Sequence, residues 1–291
     1  MTGLEARKLQ EMFCYLMLSR ATPHPRESLA ALLWGDSTTA QSKKYLRQTL
    51  WEIQKALHPY LPADANAMFV TDADWVHLNP AVELWLDVAI FEGAFAQVNG
   101  IRGAVLSDSQ AEALREAVRL YKGDLLEGCY EDWCLYERER LQSDYLVMLD
   151  KLMSWCEAHH EYEAGLAYGQ CVMRYERARE CTHRRLMRLY YLVGNRTAAL
   201  RQYARCVATL AKELSVTPAR ATVELYDQIR ADKFEAGVPP SAASSPPSES
   251  ATAPVPEVMD HLKHLRVVMT ETQRQLQENI QAVDVALKAG H

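Results

Sequence analysis

LREAVRLYKGDLLEGCYEDWCLYERERL occupies residues 114–141. A helical apolar pattern, read from Gln110 to Tyr121, runs into Gly123, and a second glycine, Gly128, closes the segment Asp124-Leu125-Leu126-Glu127. Glycine ends a helix at little cost because it accepts positive φ, so the spacing predicts two helices joined by a tight corner. Beyond it, Tyr130 to His159 has no breaker. Leu141, Tyr145, Met148, Leu152 and Trp155 form its apolar stripe. Glu137, Arg138, Glu139 and Arg140 alternate in sign, which on a helix predicts a solvated face.

Downstream the pattern stays helical and echoes itself. Gly165-Leu166 returns as Ala199-Leu200 and Leu152 returns as Leu186, always 34 residues on, although Tyr162 falls opposite Arg196. That is the period of the tetratricopeptide repeat, a helical hairpin per unit. A small residue at positions 165 and 199 lets two helices approach closely, and Gly194-Asn195 supplies a turn. Such an array offers a binding groove. Tyr168, Tyr190, Tyr191 and Tyr203 are candidates to line it, or to pack between helices.

Upstream, Arg7 to Leu18 is helical by spacing. Pro23 and Pro25 interrupt, and Arg26 to Trp34 forms a second helix. Gly35-Asp36 turns the chain, and a third helix runs over Thr39–Leu57. Its stripe at Leu46, Leu50, Ile53 and Leu57 turns Lys44, Arg47, Gln48, Trp51 and Lys55 outward, with Lys43 on a flank. Two β-favouring runs within Phe69–Leu78 flank Asp72-Ala73-Asp74 and predict a hairpin. Three short helices, a basic outer face on the third and a hairpin make a winged helix-turn-helix. Further on, Asp87 is the expected N-cap of a helix opening at Asp87-Val-Ala-Ile-Phe91.

The corner with YERERL, the run Leu186-Met-Arg-Leu-Tyr-Tyr-Leu-Val-Gly194, Ala198–Tyr203, Lys212–Pro218 and Glu224–Arg230 together resemble the bacterial transcriptional activator domain of antibiotic regulatory proteins and related signalling regulators. The resemblance covers roughly Leu86 to Arg230. Glu27–Trp34 followed by Lys44–Trp51 is similar to the positioning and recognition helices of response-regulator output domains. The resemblance implies a regulator whose helical domain supports oligomerisation and contacts with RNA polymerase. Two departures stand out. Only Met1 to Ala6 precede the first helix, where that family opens with a small sheet. The wing carries Asp72 and Asp74, which phosphates repel, and no Lys or Arg lies between Tyr60 and Gly100.

Gly237 to Pro256 is rich in Pro, Ser and Ala and reads as a flexible linker. Val258 to Ala289 forms a last helix. There Leu262, Met269, Leu276 and Val283 repeat every seven residues, and Leu265, Thr272, Asn279 and Ala286 fill the complementary positions of a loose heptad. A self-pairing coil and a helix that docks on a partner are both open.

At 291 residues the chain holds about two domains. A formal net charge of −6 argues against adhesion of the whole surface to nucleic acid but leaves room for a local basic face. The seven cysteines are scattered without C-x-x-C spacing, which points to reduced thiols in a cytosol. Charged residues interrupt any opening apolar run, and no segment is apolar enough to span a bilayer, so a soluble, cytoplasmic protein without membrane association is expected.

The fold class expected is therefore mainly α: a winged helix-turn-helix over 1–85, a tetratricopeptide-like activator domain over 86–234, a linker over 235–256 and an amphipathic or coiled-coil helix over 257–291. The candidate DNA-reading residues are Lys43, Lys44, Arg47, Gln48 and Lys55. Arg47 suits guanine and Gln48 adenine, each good bidentate contact worth about 1–3 kcal/mol of discrimination; Lys43 and Lys55 suit phosphates. Trp51 is expected to pack beneath the wing against Phe69 or Trp75. Cys156, His159 and His160 have ligand chemistry but lack a fourth ligand at suitable spacing; a histidine near the helix-terminal dipole is the simpler reading. No nucleotide-cradle, nucleophile-elbow or zinc-protease motif occurs. No cofactor and no enzymatic activity are expected. The partners expected are double-stranded DNA, RNA polymerase or another signalling protein, and a second copy of the chain. The alternative is a protein-interaction adaptor with a degenerate winged helix, motivated by the acidic wing and acidic total.

Overall fold

The computed structural model describes residues 3–60 and 68–234, with backbone alone over 3–6. The linker, the last helix and its seam residues Leu262, Met269, Leu276 and Val283 lie outside the described residues. Residues up to Phe234 form one compact unit, built on a small N-terminal core and a larger helical one.

The N-terminal core takes α1 (Gly3–Leu18), α2 (Arg26–Trp34) and α3 (Thr39–Leu57). The bounds of α2 and α3 coincide with those read from sequence. Met12, Leu16, Leu29, Leu33, Leu46, Leu50 and Ile53 are buried together with Phe69 and Val76. Burying a Leu or Ile side chain is worth about 1.5–3 kcal/mol, so the ridge on α3 fixes which side of that helix faces out. Phe69–Thr71 and Trp75–Leu78 form the expected hairpin. They are joined by an unforeseen two-residue strand, His24–Pro25. In chain order these are β1 (His24–Pro25), β2 (Phe69–Thr71) and β3 (Trp75–Leu78). The sheet order is β1-β3-β2, antiparallel throughout.

The larger core begins with α4 (Asp87–Val98) and α5 (Asp108–Leu120). Leu86, not Asp87, is the N-cap of α4; Asp87 is the first helical residue, its carboxylate accepting from the Val88 N–H at 2.8 Å. Ser107 and Gln110 make a reciprocal capping box on α5. Then come α6 (Asp132–Ala158), α7 (Tyr162–Tyr175), α8 (Glu180–Leu192), α9 (Arg196–Leu214) and α10 (Arg220–Arg230). Each packs on the next as helical hairpins. The 34-residue echo has a structural counterpart: α7 opens at Tyr162 and α9 at Arg196. The mismatched pair therefore occupies equivalent first positions, and Arg196 turns its Nε to the Ile229 carbonyl at 2.9 Å. Leu152, Leu186 and Ala199 are buried. A Cβ at Gly165 would stand 3.1 Å from Leu189 and 3.3 Å from Cys156, so this glycine allows the close approach its place in the repeat suggested.

The corner at 121–131 joins α5 to α6 as read from sequence, with one unforeseen residue. Leu126 adopts φ 49° and Gly128 φ 86°. A leucine in the left-handed region is unusual and needs its surroundings to hold it. Arg138 supplies that hold. Its Nε and Nη2 donate to the Leu125 carbonyl at 3.0 and 2.9 Å, and Nη2 reaches the Leu126 and Cys129 carbonyls at 3.0 and 3.1 Å. Arg140 pairs with Glu92 and Glu137 at 2.6 Å each and with Asp144 at 3.5 Å. The run 137–140 is therefore not a solvated face. Its arginines are half-buried ties: carbonyls of the corner converge on Arg138, and Glu92 of α4 joins Glu137 and Asp144 of α6 around Arg140.

The two cores meet through α1. Lys8 pairs with Glu131 at 3.1 Å, Arg20 pairs with Glu92 at 2.6 Å, and Tyr15 meets Trp133 edge-on at 5.4 Å.

Candidate nucleic-acid interface

On α3 the outward stripe is exposed as its spacing requires. Lys44 and Arg47 are exposed and make no hydrogen bond or ion pair among the described residues. The other candidates have neighbours. Lys43 pairs with Glu27 of α2 at 2.5 Å, a contact that holds the Glu27 carboxyl below its usual range. Both side chains are exposed, and such pairs are weak and salt-screened. Gln48 donates to Glu52 one turn on, at 3.1 Å. Lys55 lies 4.8 Å over the Trp51 ring. Trp51 is 58% exposed, so it does not pack beneath the wing as expected. The ridge at Leu46, Leu50 and Ile53 fills the inner side of α3 and leaves Trp51 the outer one, where it offers a flat surface beside a cation.

The wing is tied to the start of α2. The Arg26 N–H donates to the Asp74 carbonyl at 2.8 Å, and its guanidinium reaches the Asp72 carbonyl at 3.3 Å. Arg26 thus sets one cation beside the acidic wing tip. Sequence reading missed it because it searched only the wing's own residues. The carboxylates of Glu27 and Glu52 were missed likewise, although Glu52 lies four residues from Gln48 and was within reach of the spacing rule.

Around Lys44, Arg47 and Lys55 the flanking residues carry carboxylate partners: Glu27 on Lys43 and Glu52 on Gln48, while Asp72 and Asp74 stay on the wing. Contact by Lys44 or Arg47 requires no internal bond to be broken among the described residues. Lys43 and Gln48 must exchange an existing partner.

At the end of α6, His159 stacks on Trp155 at 4.0 Å, and its Nδ1 lies 2.9 Å from the Trp155 carbonyl. Cys156 is buried, and burial pushes its thiol up to about 11. Among the described residues no group of three or more His, Cys, Asp or Glu could hold a metal ion. No described helix is long and apolar enough to cross a membrane. Tyr168, Tyr190, Tyr191 and Tyr203 are all half-buried. Tyr203 stacks on Tyr226 at 4.1 Å, and Tyr168 and Tyr190 pack against buried core residues of the repeat.

A three-helix unit with a winged sheet, followed by stacked helical hairpins, defines a class of two-part regulators. Residues 86–230 match the sequence model of the bacterial transcriptional activator domain, and the chain belongs to that family, a family of transcription factors. Among solved structures, Mycobacterium tuberculosis EmbR in complex with a low-affinity phosphopeptide aligns with a TM-score of 0.62 at 19% identity, over 79% of this chain and 60% of that one. At that identity the likeness is one of fold, and this chain spans less than two thirds of the EmbR chain. No curated protein matches.

Proposed function

We propose that this transcriptional activator-type regulator binds double-stranded promoter DNA through α3, acting in the cytoplasm. In this reading residues 1–85 are the DNA-binding part. Residues 86–234 mediate self-association and contacts with RNA polymerase or a signalling protein. The observation that carries the reading is the exposed, unpaired pair Lys44 and Arg47 on the outer side of a helix whose inner ridge is buried. In this reading Arg47 reads a base edge, Lys43, Lys44 and Lys55 hold phosphates, and Gln48 reads adenine once Glu52 releases it.

Selection from a random duplex pool followed by fluorescence anisotropy tests this. Wild type is expected to bind selected duplexes over scrambled ones at moderate salt. Arg47→Ala should weaken selected binding about tenfold or more, since a bidentate base contact is worth about 1–3 kcal/mol. Absence of sequence-selective binding by wild type would overturn the reading. It would favour an adaptor, a role to which the Glu27–Lys43 and Gln48–Glu52 contacts also lend themselves.

Residues 257–291, with Leu262, Met269, Leu276 and Val283 at the seam, are proposed to pair with a second copy. Deleting Val258 onward should lower the number of chains per particle measured by light scattering; an unchanged oligomer would remove that role.

A further inference from the structure

Where α1 faces α4 and the 121–131 corner lies a cavity of about 540 Å³. Phe13, Met17 and Leu18 of α1, Val88 and Phe91 of α4 and Leu125 of the corner give it apolar walls. Pockets of roughly 300–1,000 Å³ with such walls and a few polar groups are the usual sites for small organic ligands. The charged groups here are mostly acidic. Asp87, Asp124 and Glu127 stand in its lining against the single ammonium of Lys122, and all four are exposed. Asp87 already caps Val88, but Asp124 and Glu127 make no hydrogen bond or ion pair among the described residues. Tyr121 also lines the cavity. Its ring stacks on Tyr145 at 4.2 Å, and its hydroxyl is buried without a hydrogen-bond partner, an unusual state for a buried polar group.

We propose that this cavity binds a small organic cation: an apolar ring or chain seated against Phe13, Met17 and Phe91, with a protonated amine at the rim facing Asp124 and Glu127. The excess of carboxylates disfavours an acid of the same shape. An occupant touches α1 of the N-terminal core as well as α4 and the corner of the larger one, so it braces the two against each other.

Three indoles that differ only in side-chain charge test the proposal on the full chain by isothermal titration: tryptamine, neutral tryptophol and indole-3-propionate. Tryptamine should saturate one site and raise Tm, with indole-3-propionate at least tenfold weaker and tryptophol between them. In Asp124→Asn/Glu127→Gln the three affinities should converge. Val88→Phe, which crowds the seat beside Phe91, should weaken tryptamine at least tenfold, with Leu18→Phe as the second crowding variant should the first not fold. No saturable tryptamine binding, equal affinity for amine and acid, or binding untouched by crowding would each overturn it. A dimer that dissociates on crowding, with no amine bound by wild type, would assign the cavity to a second copy of the chain and overturn it too. None of these readouts uses DNA, so failure here leaves the reading of α3 standing, and the reverse.

Discussion

Two charged helix faces in this chain, each expected to face solvent, behave oppositely. On α3, Lys44 and Arg47 project without partners, and the pairings around them are single exposed contacts. On α6, Arg138 and Arg140 are half-buried, one holding three corner carbonyls and the other three carboxylates. The difference teaches that alternating charge does not decide whether a face is solvated. What decides it is how many acceptors other segments bring within reach. An arginine with several acceptors maintains the fold; an arginine with none is free for a partner.

Removing Arg138 should break this contrast most visibly. Arg138→Ala takes the guanidinium donors from the Leu125, Leu126 and Cys129 carbonyls and leaves the left-handed Leu126 held by the Cys129 N–H on its carbonyl at 2.9 Å. It should cost about 3–4 kcal/mol, since hydrogen bonds from a charged donor contribute about 1.5–3 kcal/mol each and do not add fully. Thermal unfolding should show a Tm lower by roughly 6–16 °C. Arg47→Ala in the same assay should stay within about 0.5 kcal/mol of wild type. Equal losses would erase the distinction between the two faces.

The next effect lies in the larger core. A Cβ on Gly103 would press on the Lys151 backbone and stand 2.7 Å from Ser154 Cβ. Gly103→Ala should therefore destabilise by about 1–3 kcal/mol in chemical denaturation. At Gly169 the added Cβ would meet the ends of Leu186 and Met153 side chains, which can move, so Gly169→Ala should cost less.

Glu27→Gln sharpens the comparison from the other side. It frees Lys43 for phosphate, so DNA affinity should rise a few-fold at low salt and the gain should fade as salt screens it. An unchanged affinity at low salt would show that Lys43 plays no part.

Smallest is a difference in thiol chemistry. Burial pushes the Cys134 and Cys206 thiols up to about 11, while Cys181 is exposed. Near neutral pH, Cys181 should be alkylated first, read by mass spectrometry, because the thiolate is the reacting form.

Much of the fold was legible because periodicity reports burial directly. The ridge on α3 and the stripe Leu141–Trp155 on α6 both emerge as core, and 34-residue spacing marks the starts of α7 and α9. What escaped was set by contacts between segments. The strand His24–Pro25 has no alternation to read and carries a proline; its pairing depends on Trp75 and Val76 arriving beside it. Trp51 was read as core by residue type, yet the buried ridge leaves it outside. Glu27 faces Lys43 from sixteen residues away, and Arg138 meets carbonyls nine to thirteen residues upstream, distances no helical wheel displays.

The account turns most directly on the salt dependence of DNA binding, measured for wild type and Lys44→Ala on one selected duplex. Each phosphate contact contributes a slope of about −0.9 in log K against log salt. Lys44→Ala should therefore lower the slope's magnitude by about one and weaken selected and scrambled duplexes alike. A slope identical to wild type, with affinity unchanged, would place DNA elsewhere than on the outer face of α3.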